Sequence, residues 1–124
     1  MAQAEWDAMH SELRDPHVTW RHGYRRRDMA ALDKVRAQGR LHFFAQTAQI
    51  GTAVKAVRVG GHTPGMLAIV LAREVLAGDN AYLFEIAPPL AVRALAAGLP
   101  LIPGHDPTLL DRYPKVSSDV VRLP

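Results

Sequence analysis

Basic residues interleaved with aromatic side chains are the part of this sequence whose residue types most clearly suit chemistry. A guanidinium group binds a phosphate through paired hydrogen bonds, and an aromatic ring can stack on a base. The combination predicts an anion-binding segment. Its candidate anion-binding residues are Arg21, Arg25, Arg26, Arg27, Lys34, Arg36 and Arg40, and its candidate stacking residues are Trp20 and Tyr24.

Two interpretations of this basic segment stay open. Nucleic acid is one candidate partner, but no helix-turn-helix, zinc-finger or RNA-recognition pattern accompanies the arginines, and Arg27, Lys34 and Arg36 do not share one helical face. In the other interpretation, the aromatic rings pack on the domain while the arginines pair with acids of another subunit. We favour this protein-assembly interpretation from the sequence.

Metal and cofactor chemistry have little support in the residue spacing. The chain has six histidines and no cysteine. No pair of histidines has the i, i+4 spacing that places two ligands on one helical face, and cysteine sites are excluded. The sequence therefore predicts no metal site and no cofactor.

An enzyme is the third hypothesis, with a site near His62 and Glu85. Glu85 stands among apolar residues, where partial burial would raise its pKa and suit it to proton transfer. The alternative is that Glu85 pairs with an arginine on a half-exposed element. Ser117 and Ser118 lack the glycine-flanked turn of a serine nucleophile, so the sequence predicts no catalytic residue with a defined role.

The stretch from Gly60 to Gly65 has the Gly-x-x-x-x-Gly start of a phosphate-binding loop. A complete loop continues with Lys and Ser or Thr, because the lysine reaches the phosphates and the hydroxyl holds magnesium. Here Met66 and Leu67 follow, and Pro64 removes a backbone donor. We interpret the stretch as a connection between two elements, whose free N–H groups could still hold an anion.

Charge is unevenly distributed along the 124 residues, which carry a formal net charge of +3. Residues 14–58 hold ten bases and three acids, whereas the segments before and after them are net acidic. Such asymmetry indicates an anionic partner. The lack of cysteine, of a signal peptide and of an apolar run near 20 residues predicts a cytoplasmic or other reducing compartment and no transmembrane segment. Contact with a membrane surface is left open.

Hydrophobic periodicity predicts helices over residues 4–14 and 25–58. An apolar run predicts one over residues 66–77, and the flanking Pro89 and Gly98 predict one over residues 90–99. Gly39 and Gly51 interrupt the helix over residues 25–58 at a cost of about 1 kcal/mol each relative to alanine, so it is one long helix or two. Residues 54–59 alternate well enough to form a strand instead. The apolar stretch 66–77 is a core helix or a buried strand, and its length favours helix.

The expected fold is mainly α, with three to five helices; the alternative is α+β with a short strand or hairpin near residues 81–86. We expect one globular domain over residues 1–102 that contains the basic segment 14–58. An extended proline-rich tail follows over residues 103–124, with a single helical turn at 108–111.

Together these features predict a non-enzymatic structural or accessory subunit of a larger assembly. It would dock through the basic segment and the proline-rich tail onto a protein partner or a second copy. A nucleic-acid-binding protein is the first alternative and a small enzyme the second.

Overall fold

Two helices precede a block of strands along this chain. The computed structural model describes residues 1–17, 23–85 and 90–123. Its helices are α1 (Gln3–Arg14), α2 (Arg26–Ala37), α3 (Leu90–Ala96) and α4 (Leu109–Arg112). Its strands are β1 (Thr47–Ile50), β2 (Val54–Arg58), β3 (Leu67–Val70), β4 (Val75–Gly78), β5 (Leu101–Pro103), β6 (Lys115–Ser117) and β7 (Val120–Val121).

Strands β1 to β5 form one sheet in the order of the chain. The first four strands pair antiparallel, and β5 adds parallel to β4 after the α3 crossover. A parallel pair needs such a crossover because the chain must return to the same end of the sheet. Strands β6 and β7 form a separate antiparallel pair. The expectation of a mainly α fold is therefore wrong: the protein is α+β.

Helix α1 confirms the helix predicted from the spacing of Trp6, Met9 and Leu13, which are all buried. These side chains form a small core with Met29 and Leu32 of α2 and with Phe43. Helix α2 itself buries none of its residues fully. No helix among the described residues is long and apolar enough to cross a membrane.

The long helix predicted over residues 25–58 is wrong beyond Ala37. Gly39 has φ +68°, and the N–H of Arg40 bonds the carbonyl of Val35, which ends α2. Gly51, with φ +59°, then lies at the turn between β1 and β2. The glycines thus end one element and turn the next, and the strand alternative for residues 54–59 is the correct one.

The helix predicted over residues 66–77 is a β-hairpin. Strands β3 and β4 pair Ile69 with Leu76 and Val70 with Val75, and the N–H of Leu71 bonds the carbonyl of Glu74 across the turn. A continuous apolar run cannot distinguish a buried strand from a buried helix by periodicity. The β-branched residues on both sides of the turn favour the strand.

Two further expectations change in the C-terminal third. Residues 81–85 form no strand, and residue 86 lies outside the described residues. In the tail, helix α4 confirms the helical turn predicted at 108–111, whereas the end of β5 and the β6–β7 hairpin replace the extended chain expected on either side of it. The predicted helix at 90–99 is confirmed as α3, which ends at Ala96. The proposed division into a domain over 1–102 and a tail over 103–124 stays a prediction.

The sheet has its core on the face that carries Ala68 and Val75. Both are fully buried and pack against Ala96 of α3, with Leu95 and Leu101 partly buried around them. Helix α3 therefore fixes the β4–β5 part of the sheet, whose ends carry the site described next.

Candidate functional site

One edge of the five-stranded sheet gathers three loops that are far apart in sequence. The loop after β2, the loop after β4 and the loop after β5 all leave from this edge, because β3 runs antiparallel to β2 and β4, while β5 runs parallel to β4. They carry His62, Asp79 and His105 in turn, and Tyr82 follows Asp79. We call these four residues the edge cluster.

The carboxylate of Asp79 lies between the two histidines of the edge cluster. Its Oδ1 is 2.8 Å from His105 Nε2, and its Oδ2 is 3.7 Å from His62 Nε2. The side chains of His62 and Asp79 are 36% and 38% exposed, and that of His105 is 58% exposed. The carboxylate is thus accessible to a small molecule from solvent, and it is hydrogen-bonded to His105.

Tyr82 completes the cluster from the opposite side of the imidazoles. Its ring stacks on His105 with centroids 5.1 Å apart, and its hydroxyl lies 3.4 Å from His62 Nδ1. When Tyr82 donates to Nδ1, the proton of a neutral His62 is on Nε2, the nitrogen that faces Asp79. The hydroxyl is therefore a partner of His62 at an exposed position.

The loop that carries His62 is shaped by glycine. Gly60 and Gly61 have φ of +64° and +102°, a conformation that residues with a side chain rarely adopt. A Cβ on Gly61 would overlap the side-chain oxygen of Asn80, which accepts a hydrogen bond from the His62 N–H at 3.3 Å. Asn80 is 8% exposed and directly follows Asp79, so it ties the first two loops together.

The loops after β4 and β5 are joined mainly through their backbones. The N–H groups of Gly104 and His105 donate to the carbonyls of Ala81 and Tyr82 at 2.8 and 3.1 Å. The carboxylate of Asp106 accepts from the N–H of Phe84 at 2.7 Å and from Thr108. The hydrogen bond from the Thr108 hydroxyl lowers the pKa of Asp106, and the Phe84 N–H lowers it further. These bonds fix His105 beside Asp79.

Two imidazoles and one carboxylate are donors that zinc and similar divalent ions accept. His62, Asp79 and His105 therefore fit such an ion by donor type. As the side chains stand, hydrogen bonding holds them together. No group of three or more His, Cys, Asp or Glu side chains within residues 1–17, 23–85 and 90–123 already surrounds a common metal position.

The residues predicted to bind anions do not converge. Arg25, Arg26 and Arg27 lie at the start of α2, and Lys34 and Arg36 lie in its last turn. Arg40 follows the helix and bonds Gln38 at 3.3 Å. All six are exposed. Their role in anion binding stays a prediction.

The aromatic part of that prediction has a different outcome. Trp20 and Arg21 lie outside the described residues. Tyr24 donates its hydroxyl to Glu5 at 2.6 Å and is partly buried, so it is packed within the protein. The guanidinium of Arg36 lies 5.0 Å from the Trp6 ring centroid, a cation–π contact that the sequence did not predict.

Of His62 and Glu85, the two residues suggested for the enzyme hypothesis, only His62 lies in the edge cluster. Glu85 is exposed, and the carboxylate that contacts His62 is Asp79. The sequence reasoning missed Asp79, Tyr82 and His105. The signal for them was present: His62, Asp79 and His105 each follow a glycine at the end of an apolar run. Had those runs been assigned as neighbouring strands, the three residues would have been expected at one edge.

No protein-family model and no curated protein matches the sequence. Among solved structures, the chain is similar to an N-acyl homoserine lactone hydrolase with the product N-hexanoyl-L-homoserine bound at its catalytic metal centre. The TM-score is 0.60 at 14% identity, covering 90% of this chain and 48% of that one. It is also similar to a variant of AiiA from B. thuringiensis with N-decanoyl-L-homoserine at the active site, with TM-score 0.60, 15% identity and the same coverage.

The chain shares its fold with about half the length of these two structures. The finding corrects the functional expectation from sequence. A structural or accessory subunit was expected, with a nucleic-acid-binding protein as the alternative, whereas the chain is similar in fold to part of a lactone hydrolase. Of the hypotheses considered from the sequence, the small enzyme agrees best with this likeness. The predictions about partners stay predictions.

Proposed function

We propose that this chain is a hydrolase domain that cleaves a carboxylic ester or lactone at the edge cluster. The observation that carries the proposal is the convergence of His62, Asp79, Tyr82 and His105 from three loops at one sheet edge. The likeness in fold to lactone hydrolases supports the reaction class.

The residues of the cluster have distinct roles in this proposal. Asp79 accepts a proton from the attacking water as the water oxygen bonds to the carbonyl carbon. The acyl C–O bond then breaks, and the same proton passes to the leaving alkoxide. His105, bonded to Oδ1 of Asp79, orients the carboxylate. Tyr82 turns its one hydroxyl proton from His62 Nδ1 to the carbonyl oxygen as that oxygen becomes negative.

His62, Asp79 and His105 have the donor types that a divalent metal ion accepts, but as they stand they do not surround a metal position, so holding an ion would require their side chains to move. When bound, such an ion polarises a carbonyl group and makes a water more acidic. The prediction from sequence that no metal is bound is thereby replaced by a proposal that can be measured directly.

The proposed substrate carries an apolar acyl group. A mostly apolar cavity of about 360 Å³ adjoins the loop that holds Tyr82. Its volume is within the range of small-molecule binding sites. Among the described residues it is lined by Ala81, Leu83, Phe84, Arg93, Ala96, Leu101 and Pro103. Ala81 directly precedes Tyr82, and Pro103 is two residues from His105, so a chain in this cavity lies next to the edge cluster. N-acyl homoserine lactones, the substrate class named for one of the similar structures, meet this description.

The test is hydrolysis of N-hexanoyl-homoserine lactone by the purified chain, with and without added Zn²⁺, alongside Zn²⁺ binding by calorimetry. We expect Asp79→Asn to lower kcat/KM about 100-fold or more, since the amide cannot accept the proton. The matched control is Asp28→Asn, an exposed carboxylate on α2, which should retain full activity.

A wild-type chain that neither binds Zn²⁺ nor opens the lactone would overturn the proposal. So would equal activity of Asp79→Asn and Asp28→Asn. Tyr82→Phe separates the roles within the cluster: loss of one hydrogen bond worth about 1 kcal/mol predicts a several-fold lower kcat with little change in Zn²⁺ affinity.

A further inference from the structure

The first helix reaches the loop of the edge cluster through one carboxylate. Glu5 Oε2 accepts hydrogen bonds from the Thr63 hydroxyl at 2.6 Å and from the Gly65 N–H at 2.9 Å. Its Oε1 accepts from the Tyr24 hydroxyl at 2.6 Å. Glu5 is 58 residues from Thr63 in sequence, so these bonds join two distant parts of the chain.

The contact between α1 and this loop is tight as well as polar. Thr63 is 7% exposed, and Gly65 is buried. A Cβ on Gly65 would overlap the backbone and Cβ of Glu5, so only glycine allows the helix to come this close. The loop therefore has one position against α1, and Glu5 defines it.

Hydrogen bonds at the base of the loop of residues 60–65 also restrain His62. There, the N–H groups of Val59 and Gly60 donate to the Met66 carbonyl at 2.9 and 3.2 Å. Between this base and the Glu5 contacts lies His62, which immediately precedes Thr63. The backbone of His62 is thus held by hydrogen bonds on both sides of it.

The hydrogen bonds around Glu5 hold its side chain in place. Three donors face its two oxygens, which is typical of a carboxylate that is held in place. Burial, and then the hydrogen bond to Glu5, raise the pKa of Tyr24. Tyr24 therefore remains a donor throughout the neutral range.

We propose that Glu5 is a positioning residue: it holds the loop of residues 60–65 so that His62 faces Asp79. The consequence for catalysis rests on the proposed function, whereas the orientation of His62 does not. In metal sites, residues that orient a metal ligand without binding the metal themselves typically change metal affinity or activity by about 10–100-fold when they are mutated.

The experiment compares Glu5→Ala and Thr63→Val with the control Asp7→Ala, which removes a carboxylate from an exposed position on the same helix. The ring-nitrogen signals of His62 and the exchange rate of the Gly65 amide are measured by NMR. We expect both to change in Glu5→Ala. In Thr63→Val the His62 signals shift while the fold is retained, and neither observable changes in Asp7→Ala.

Activity is the second measurement on the same proteins. We expect kcat for the lactone to fall about tenfold in Glu5→Ala with KM nearly constant. Glu5→Gln should restore most of it, because its amide oxygen can accept from Thr63 and Gly65 while its NH₂ donates to Tyr24.

The outcomes separate the two proposals. If His62 and Gly65 signals in Glu5→Ala equal those of the wild type, the positioning role is overturned whatever the activity. If Glu5→Ala does not fold, Thr63→Val decides: unshifted His62 signals overturn the role. If these signals shift but the wild type hydrolyses no lactone, the positioning role holds and the proposed function fails.

Discussion

The edge cluster and the basic segment of α2 differ in how the spacing of their residues along the chain relates to their proximity in the structure. The basic segment is dense in sequence, yet its described arginines are exposed and spread along one helix. The edge cluster is sparse in sequence, and three loops bring its four residues together. High charge density along the chain therefore coincides here with an exposed surface. Convergence of strand ends marks the candidate site.

The two regions are also stabilised differently. Helices α1 and α2, the helical region that carries the basic segment, are held together by the buried face of α1. There Trp6, Met9 and Leu13 pack against partly buried residues of α2. The five-stranded sheet, which carries the edge cluster, is held by small and β-branched residues such as Ala68 and Val75 that pack against α3. Glu5 connects the two regions through its hydrogen bonds to Thr63 and Gly65.

The largest effect is expected for Leu13→Ala. Leu13 is 1% exposed, and removing its side chain should lower the free energy of unfolding by about 3 kcal/mol. Lys34→Ala, at an exposed position of α2, should change it by less than about 0.5 kcal/mol. Urea unfolding of both variants measures this. Equal destabilisation would mean that the charges of α2, and not the buried face of α1, hold the helical region.

A smaller effect is expected for a pair of glycine variants. Gly61→Ala and Gly39→Ala both place a side chain at positive φ, but only the former meets Asn80, since nothing lies within 4 Å of a Cβ at Gly39. We expect Gly61→Ala to lower lactone hydrolysis about tenfold, equivalent to about 1.4 kcal/mol. Gly39→Ala should retain the wild-type rate. Equal rates in the two variants would contradict the assignment of the site to the loop of residues 60–65.

The smallest effect concerns alkaline pH. The raised pKa of Tyr24 means that the folded protein keeps this proton when the unfolded chain has lost it. The stabilisation is complete below pH 10, the ordinary tyrosine value, and is lost as the pH rises above it. We therefore expect the difference in urea midpoint between wild type and Tyr24→Phe to be constant up to about pH 9 and to narrow above pH 10. A constant difference at pH 11 would contradict the buried bond to Glu5.

Some elements were readable from sequence for clear physical reasons. The spacing of Trp6, Met9 and Leu13 predicted α1, and the flanking Pro89 and Gly98 indicated the helix that the structure shows as α3. Strands β3 and β4 were only the alternative to a helix, because a continuous apolar run lacks the polar alternation of a half-exposed strand.

The sequence by itself determined where the chain turns. The glycines at positions 39, 51, 60 and 61 adopt positive φ in the structure, and each ends or connects an element. Only the tertiary structure decided which turns meet. Residues 62, 79 and 105 come together because β2, β4 and β5 end at one edge of the sheet. That register depends on pairing between strands, which no local spacing of residues encodes.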